Sequence, residues 1–389
     1  MAIRVPVVST ARTPFTRASK GELKDTRPDT LAALAIKEAL ARAKGLEPSA
    51  VEDVVLGCAM PEAEQGMNVA RLAALLAGIP DTVPAMTINR FCSSGVQSIA
   101  TVAQSIAAGS IEVGIAGGTE SMTLIPMGGN KVSANPELME RHPEIYTSMG
   151  ATAELVAKRF EIPRAAQDEF ALQSQKRAAA AREAGKLKDE VFPVTTRVHA
   201  DDGRPSDVTV TFDTIMRPDT TAEGLAKLKP AFDPQGSVTA GNASPLTDGA
   251  AAAVLMSEAK AKSLGLSPLG YFMDLQVAGV PPEIMGIGPV PAVRKLLAKN
   301  GLKVQDIDLF ELNEAFASQS LYCIRELGLD REKVNVNGGA IALGHPLGVS
   351  GTRMTGALLR ELKRRGGRLG VVTMCIGGGM GAAALFSAS

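Results

Sequence analysis

The sequence predicts an α/β protein built from two copies of one layered unit, with the first copy interrupted by an insertion. Three observations carry that prediction. Short β-branched runs alternate with longer helical patterns, which favours a mixed or parallel sheet covered by helices on both faces. The second half replays the first in the same order. The spacing between matched segments also drops once, at one place, as a single insertion requires.

Val5–Val8, Val54–Leu56 and Val113–Ala116 read as buried strands, and Leu31–Lys44 and Val96–Ala107 as helices. Asp53-Val-Val-Leu-Gly resembles Asp306-Ile-Asp-Leu-Phe at an offset of 253, and Gly95-Val96 resembles Gly348-Val349 at the same offset. A helix end at Ala43-Lys-Gly-Leu resembles Lys299-Asn-Gly-Leu. The last strands, from Gly249 and from Gly381, match at an offset of only 132, so 121 extra residues sit in the first half. The expected domains are therefore residues 1–118 with 246–268, an inserted loop domain at 119–245, and a second copy at 269–389. The insertion holds charged helices at Ala153–Phe160 and Ala165–Gly185 and a Pro- and Asp-rich stretch from Asp201 to Pro234.

Composition narrows the function classes. A chain of 389 residues, 45% hydrophobic and 21% charged, buries large cores without covalent staples. Lys plus Arg and Asp plus Glu are 41 each, so the basic footprint of a nucleic-acid binder is missing. Apolar runs such as Ala250–Met256 stop at strand length, well short of the roughly 18 residues of a membrane span. Neither nucleic acid nor membrane is an expected partner. The cysteines (Cys58, Cys92, Cys323, Cys375) form no CxxC pair, and His142, His199 and His345 lie far from them in sequence. That spacing fits neither a disulfide framework nor a zinc site, and points to a reducing compartment. Pro6 and Pro14 argue against an amphipathic targeting helix, and Ser-Ala-Ser is not the peroxisomal Ser-Lys-Leu, so a cytoplasmic location is expected.

Three segments hold unusual chemistry. Asn89-Arg-Phe-Cys92-Ser-Ser-Gly95 precedes a helix whose apolar residues recur at Val96, Ile99, Val102, Ala103 and Ile106. Cys92 thus sits at a helix N-terminus with Ser93 and Ser94 as candidate caps, and the macrodipole should lower its thiol pKa. A buried inert cysteine is the plainer alternative. From Gly338 to Gly351, glycines crowd a shaped turn around His345-Pro346. The pattern is neither GxGxxG nor a P-loop, so a catalytic histidine competes with a weak phosphate-loop reading. Thr373-Met-Cys375-Ile-Gly377 runs into four glycines in five residues, which suits either a ligand at a strand end or a plain β-hairpin.

On these residues the chain resembles the thiolases. The resemblance spans nearly the whole length and rests on Thr10-Ala-Arg-Thr-Pro-Phe, Asn89-Arg-Phe-Cys-Ser-Ser-Gly, Ala116-Gly-Gly-Thr-Glu-Ser-Met, Asn313-Glu-Ala-Phe-Ala, Gly344-His-Pro and Cys375-Ile-Gly-Gly-Gly-Met-Gly. It implies the duplicated thiolase fold, an α/β architecture of two five-stranded units layered α-β-α-β-α, with a loop domain inserted in the first. It implies an acyltransferase that cleaves 3-ketoacyl-CoA with CoA by ping-pong chemistry, reversible toward condensation. Cys92 would be the acylated nucleophile, His345 would take its proton, and Cys375 would act as general acid and base. Asn313 would hold a water beside the enolate oxygen. The backbone N–H groups of Cys92 and Gly377 would form a second oxyanion hole.

Met149, Arg217, Leu228, Phe232, Ala243 and Ser244 would line the CoA path, and Phe316 and Met285 the acyl pocket. Local packing or plain solvation is the alternative for each. CoA and acyl-CoA are then substrates, no metal or organic cofactor is implied, and a homodimer or homotetramer is expected. Ser148 stands where short-chain members often have His, which favours a broad-range 3-ketoacyl enzyme over an acetyl-CoA acetyltransferase. A decarboxylating ketoacyl synthase would lack the counterpart of Cys375. A non-catalytic CoA- or lipid-binding homologue would have lost one of the four catalytic residues.

Overall fold

The computed structural model describes residues 3–199 and 202–388; Met1, Ala2, Ala200, Asp201 and Ser389, which the expected segments include, lie outside that range. The first copy runs β1 (Val5–Arg12), a short β2 (Thr16–Arg17), α1 (Pro28–Arg42), β3 (Asp53–Gly57), α2 (Val69–Leu76), β4 (Ala85–Ile88), α3 (Ser94–Ala107) and β5 (Val113–Ser121). The insertion holds α4 (Pro136–Arg141), α5 (Met149–Arg159), α6 (Arg164–Glu183), the hairpin β6 (Val194–His199) and β7 (Pro205–Val210), and α7 (Ala222–Ala226). Strand β8 (Thr247–Met256) completes the first copy, and α8 (Glu258–Ser263) leads out of it. The second copy follows as β9 (Gly270–Gly279), α9 (Pro289–Lys299), β10 (Leu309–Leu312), α10 (Ala317–Leu327), α11 (Ala340–Leu343), α12 (Ser350–Arg365), β11 (Leu369–Ile376) and β12 (Met380–Ser387).

All strands but β6 and β7, which form a sheet of their own, share one sheet in the order β10-β11-β12-β9-β1-β8-β5-β3-β4, with β2 on β8. The copies join where β1 lies antiparallel to β9, Val5 opposite Phe272. The second copy has four strands rather than the expected five: the counterpart of β4 shrinks to one bridge between Phe310 and Val334. Apolar faces set the layers. Leu31, Ile36 and Leu40 of α1 and Ala70 and Ala73 of α2 cover one outer face, and Val293 and Leu296 of α9 and Ile324 of α10 cover the other. Between them Val96, Ile99 and Ala103 of α3 meet Met354, Leu358 and Leu362 of α12. This is the α-β-α-β-α stack.

The register of the repeat differs from the sequence expectation. Glu52 accepts the N–H groups of Glu112 and Val113, and Asp308 accepts those of Arg368 and Leu369 in the same way. The offset is therefore 256, as it is between the helix starts Ser94 and Ser350, not 253. Ala253 and Leu255 face the middle layer together with Ala384 and Phe386, so the last strands match at 131, not 132. A slip of one residue turns every strand side chain to the other face, and alanine-rich runs look alike in either register. The insertion accordingly runs over 122–246, not 119–245, because Thr119, Glu120 and Ser121 complete β5.

Two equivalent glycines position the site. A Cβ on Gly95 would lie 2.8 Å from Thr352 Oγ1 and 2.9 Å from the Gly348 carbonyl, and one on Gly351 would strike the Val96 nitrogen. With neither present, α3 and α12 cross in close contact at their N-termini. The segments that lead into those helices, one carrying Cys92 and the other His345, are thereby drawn together.

Candidate active site

Cys92 lies in a single turn of 3-10 helix, Phe91–Ser93, immediately before α3. Phe91 adopts φ of 42°, a left-handed conformation unusual for a bulky residue and characteristic of backbone held under constraint beside a reactive group. The two serines do not cap α3. Ser93 Oγ donates to the Arg90 carbonyl at 3.1 Å, while Ser94 Oγ accepts the Arg90 N–H at 2.8 Å and donates to the Phe91 carbonyl at 2.7 Å. They brace the turn that presents the sulfur.

The expected fall in the Cys92 pKa does not occur. Burial pushes the thiol up, the N–H groups of Gly377 and Cys92 itself pull it down, and the field of Glu120 adds to the rise, leaving it at about 11. Removal from water outweighs the helix terminus. The same two N–H groups point at the sulfur, where an oxyanion at the attacked carbon would find them. Alkylation of Cys92 by iodoacetamide is therefore expected to accelerate about tenfold per pH unit from neutral toward pH 10, since the thiolate fraction at pH 7 is about one part in ten thousand. Mass spectrometry of the Cys92 peptide reads this rate; a plateau near neutral pH would show a preformed thiolate instead.

His345 is buried and its protonation follows from its partners. Ser350 Oγ donates its one hydrogen to the Pro346 carbonyl at 3.1 Å, so Nδ1–H of His345 donates to Ser350 Oγ at 2.6 Å. The lone pair then sits on Nε2, which accepts from Asn313 Nδ2 at 3.2 Å. Burial, with the charge of Arg353 adding to it, lowers the imidazole to about 3, so it is a neutral base. Gly344, at φ of 95°, precedes it; a Cβ there would meet Ile215 and Thr247, whose Oγ1 instead accepts the His345 N–H at 3.1 Å. Regular structure also enters this stretch, since Ala340–Leu343 forms one helical turn rather than pure loop.

Cys375 ends β11 and is fully buried; burial and then the fields of Cys92 and Cys323 hold its thiol far above the ordinary range. The glycine run forms the expected hairpin. Gly377–Gly379 is the turn of a β11–β12 hairpin, and its first N–H serves Cys92. Asn313 follows β10, pinned by its N–H to the Thr373 carbonyl, and its Oδ1 is buried without a partner, as suits a group that holds a water.

The residues expected along the CoA and acyl path divide. Met149, Ala243, Met285 and Phe316 pack with Cys375 in one apolar cluster, and Met149 Sδ would lie 3.5 Å from a Cβ on Gly377. Ala243 bridges Phe316, and Ser244 directs both its N–H (3.0 Å) and its Oγ (3.1 Å) at the Ala315 carbonyl. The hydroxyl's lone pairs remain free to accept from an amide. Phe232 stands edge-on to Phe316 at 6.1 Å and is 50% exposed, and Leu228 is 36% exposed, so neither is local core. Arg217 is exposed and meets this region only through the insertion, its backbone N–H bonded to Gln175 at 2.9 Å.

One residue had no role assigned from sequence. Buried Glu120, inside the Ala116–Met122 motif, accepts from the N–H groups of Ala59 (2.8 Å), Met60 (3.2 Å) and Gly348 (2.8 Å) and from Gln65 Nε2 (2.9 Å). It ties the first copy to the His345 loop, and its burial raises its pKa despite those donors. A carboxylate inside an otherwise uncharged Gly- and Ser-rich strand was the available signal. Among the described residues no group of three or more His, Cys, Asp or Glu is placed to hold a metal ion. Nor, among the described residues, is any helix long and apolar enough to cross a membrane.

Comparison with known proteins places the family. The family description "Thiolase, N-terminal domain" matches residues 5–259, and "Thiolase, C-terminal domain" matches 266–388. The chain is 55% identical to the 3-ketoacyl-CoA thiolase of Bacillus subtilis (strain 168) over 384 residues, 98% of either chain. The structure of human mitochondrial 3-ketoacyl-CoA thiolase in complex with CoA superposes with a TM-score of 0.90 at 42% identity, covering 100% of this chain and 99% of that one. The Bacillus anthracis acetyl-CoA acetyltransferase does so at 0.90 and 44%, covering 99% of both. The chain belongs to the thiolase family.

Proposed function

We propose that this chain is an acyltransferase that cleaves 3-ketoacyl-CoA with CoA into acyl-CoA and acetyl-CoA, reversibly. The observation that carries the reading is the junction of the two copies, where the Cys92 sulfur receives the Gly377 N–H and a neutral His345 shares its Nε2 with Asn313. Full-length similarity to 3-ketoacyl-CoA thiolases supports the substrate class.

The site's protonation states set the order of events. Cys92 rests as a thiol and His345 as a neutral base, so proton transfer accompanies attack of the sulfur on the C3 carbonyl. The N–H groups of Cys92 and Gly377 stabilise the oxygen of that tetrahedral species. Cleavage of the C2–C3 bond releases an acetyl-CoA enolate, whose oxygen faces His345 and Asn313. The Cys375 thiol protonates the enolate carbon, and its thiolate then takes the proton of incoming CoA. Losing one oxyanion donor in such a site typically costs about 100- to 1,000-fold in rate.

A thiolysis assay from acetoacetyl-CoA to palmitoyl-length 3-ketoacyl-CoA tests this, with CoA as second substrate. Turnover across the series is expected. Turnover confined to acetoacetyl-CoA would favour the second reading, an acetyl-CoA acetyltransferase, which the similarity to the Bacillus anthracis enzyme supports. Absence of turnover on every substrate would end both. We also propose self-association: β4 is a free sheet edge, and Met67, Leu75, Leu76 and Met86 on and near it are exposed. Sedimentation of the native protein as a monomer would refute that.

A further inference from the structure

A groove of about 560 Å³ opens away from the catalytic residues. Its floor is β1 at Val8–Thr10; its walls are the end of α1, the last turns of α12 and the turn that follows α6. Five cations line it (Arg42, Lys188, Arg360, Lys363 and Arg364) against a single carboxylate, Asp189. Among the described residues Lys188, Arg360 and Lys363 form no ion pair, whereas Arg42 is paired with Glu38 and Arg364 with Glu361 and, at 3.8 Å, with Asp189.

Backbone carbonyls and a hydroxyl orient the arginines as well, and Arg360 is held by such neutral groups alone. Arg360 donates to Thr10 Oγ1, to the Thr10 carbonyl at 3.0 Å and to the Gly356 carbonyl at 3.1 Å. Arg42 donates to the carbonyls of Thr10 (2.9 Å) and Asp189, and Arg364 to that of Lys186 at 2.7 Å. These bonds lock the turn after α6 against both helices. Burial, with the fields of Arg42 and Arg364 adding to it, lowers Arg360 to about 10 in spite of Glu190 and Asp189.

The duplication supplies an internal control. At the offset of 256, Arg360, Lys363 and Arg364 of α12 correspond to Gln104, Ala107 and Ala108 at the end of α3. The fold therefore does not require charge at these positions. Cations in a helix's last turn complement its dipole, which suffices for Arg365. It does not account for Arg42 and Lys188, which reach the groove from other elements. The volume suits a small molecule, and guanidinium forks match phosphate oxygens.

We propose that this groove binds a small molecule carrying two or more phosphate groups, at a site separate from the catalytic pocket. Ser350, which holds His345, starts α12, and Arg360 stands ten residues further on, roughly 15 Å along the helix.

Titration calorimetry of the full chain with pyrophosphate at low ionic strength tests this. Pyrophosphate should bind more tightly than orthophosphate and weaken with added salt. The exposed pair Lys188→Glu with Lys363→Glu should weaken it by at least about tenfold, and the Lys188→Gln, Lys363→Gln pair by less, while thiolysis and the KM for CoA stay unchanged. Failure of millimolar pyrophosphate to bind would overturn the proposal. So would binding that ignores both charge variants, or charge variants that raise the KM for CoA in step with the loss of pyrophosphate affinity, since the anion would then occupy the CoA path.

Discussion

Cys375→Ser, incubated with acetyl-CoA alone, should accumulate one acetyl group on Cys92 and make no acetoacetyl-CoA. Acetylation of Cys92 uses the sulfur, its two N–H donors and the base His345, none of which this variant touches, and the departing CoA thiolate, a stable anion in water, depends far less on a proton from Cys375. The next step takes a proton from the methyl group of a second acetyl-CoA, a far weaker acid than a thiol. In the proposed mechanism the thiolate of Cys375, buried beside Cys92, takes that proton. Serine holds its proton several pKa units more tightly, so the acetyl-enzyme waits. General acid–base groups of this kind contribute about 100- to 10,000-fold, and a loss in that range is expected in both condensation and thiolysis. Cys92→Ser should form no acetyl-enzyme at all. Intact-mass measurement after acetyl-CoA addition separates the two variants. Wild-type turnover by Cys375→Ser, or acetyl on a residue other than Cys92, would reverse the assignment.

Arg12→Met should cost about 3–5 kcal/mol of stability, the largest loss expected from a substitution outside the catalytic groups. Arg12 lies at 2% exposure in β1 and holds two carboxylates that belong to the insertion. Its fork meets Asp213 at 2.6 and 2.8 Å, its Nε meets Glu190 at 3.2 Å, and Asp213 also accepts the Phe15 N–H at 2.8 Å. Burial alone would lower the arginine's pKa, but Asp213 and Glu190 more than offset it. Methionine fills the volume and leaves two carboxylates buried without a cation. Arg12→Lys keeps the charge but loses the bidentate geometry, and should fall between the two. Chemical denaturation of the three proteins measures this; a loss under about 1 kcal/mol for Arg12→Met would show that water reaches the carboxylates.

Much of the fold was legible because its signals are local. The stripe Val96, Ile99, Val102, Ala103, Ile106 is buried as its period requires, and the alternation of strands and helices follows the expected order. The register was not legible. Ala250–Val254 beside Ala382–Ala384 reads the same after a shift of one, and only the cross-strand pairs separate 131 from 132. The expected fifth strand of the second copy does not form for a related reason: Val334 makes one bridge, and nothing in the chain marks how short a pairing will be. Glycine runs announced crowding without naming the neighbour. Gly95 and Gly351 prove to face each other's helices, which is the contact that joins the two loops.

From the sequence alone came the doubled architecture, the single insertion and the placement of Cys92 and His345 in turns and of Cys375 at a strand end, since periodicity and turn chemistry act over a few residues. Tertiary structure decided how those groups titrate. A helix N-terminus by itself would favour a Cys92 thiolate, yet the sulfur stays protonated to about 11 and the imidazole neutral down to about 3. Desolvation depends on everything packed around a group, and those neighbours come from both copies and the insertion. The cationic groove has the same origin, because Arg42, Lys188 and Arg360 are distant in sequence and become one field only when α1, α12 and the turn after α6 close over β1.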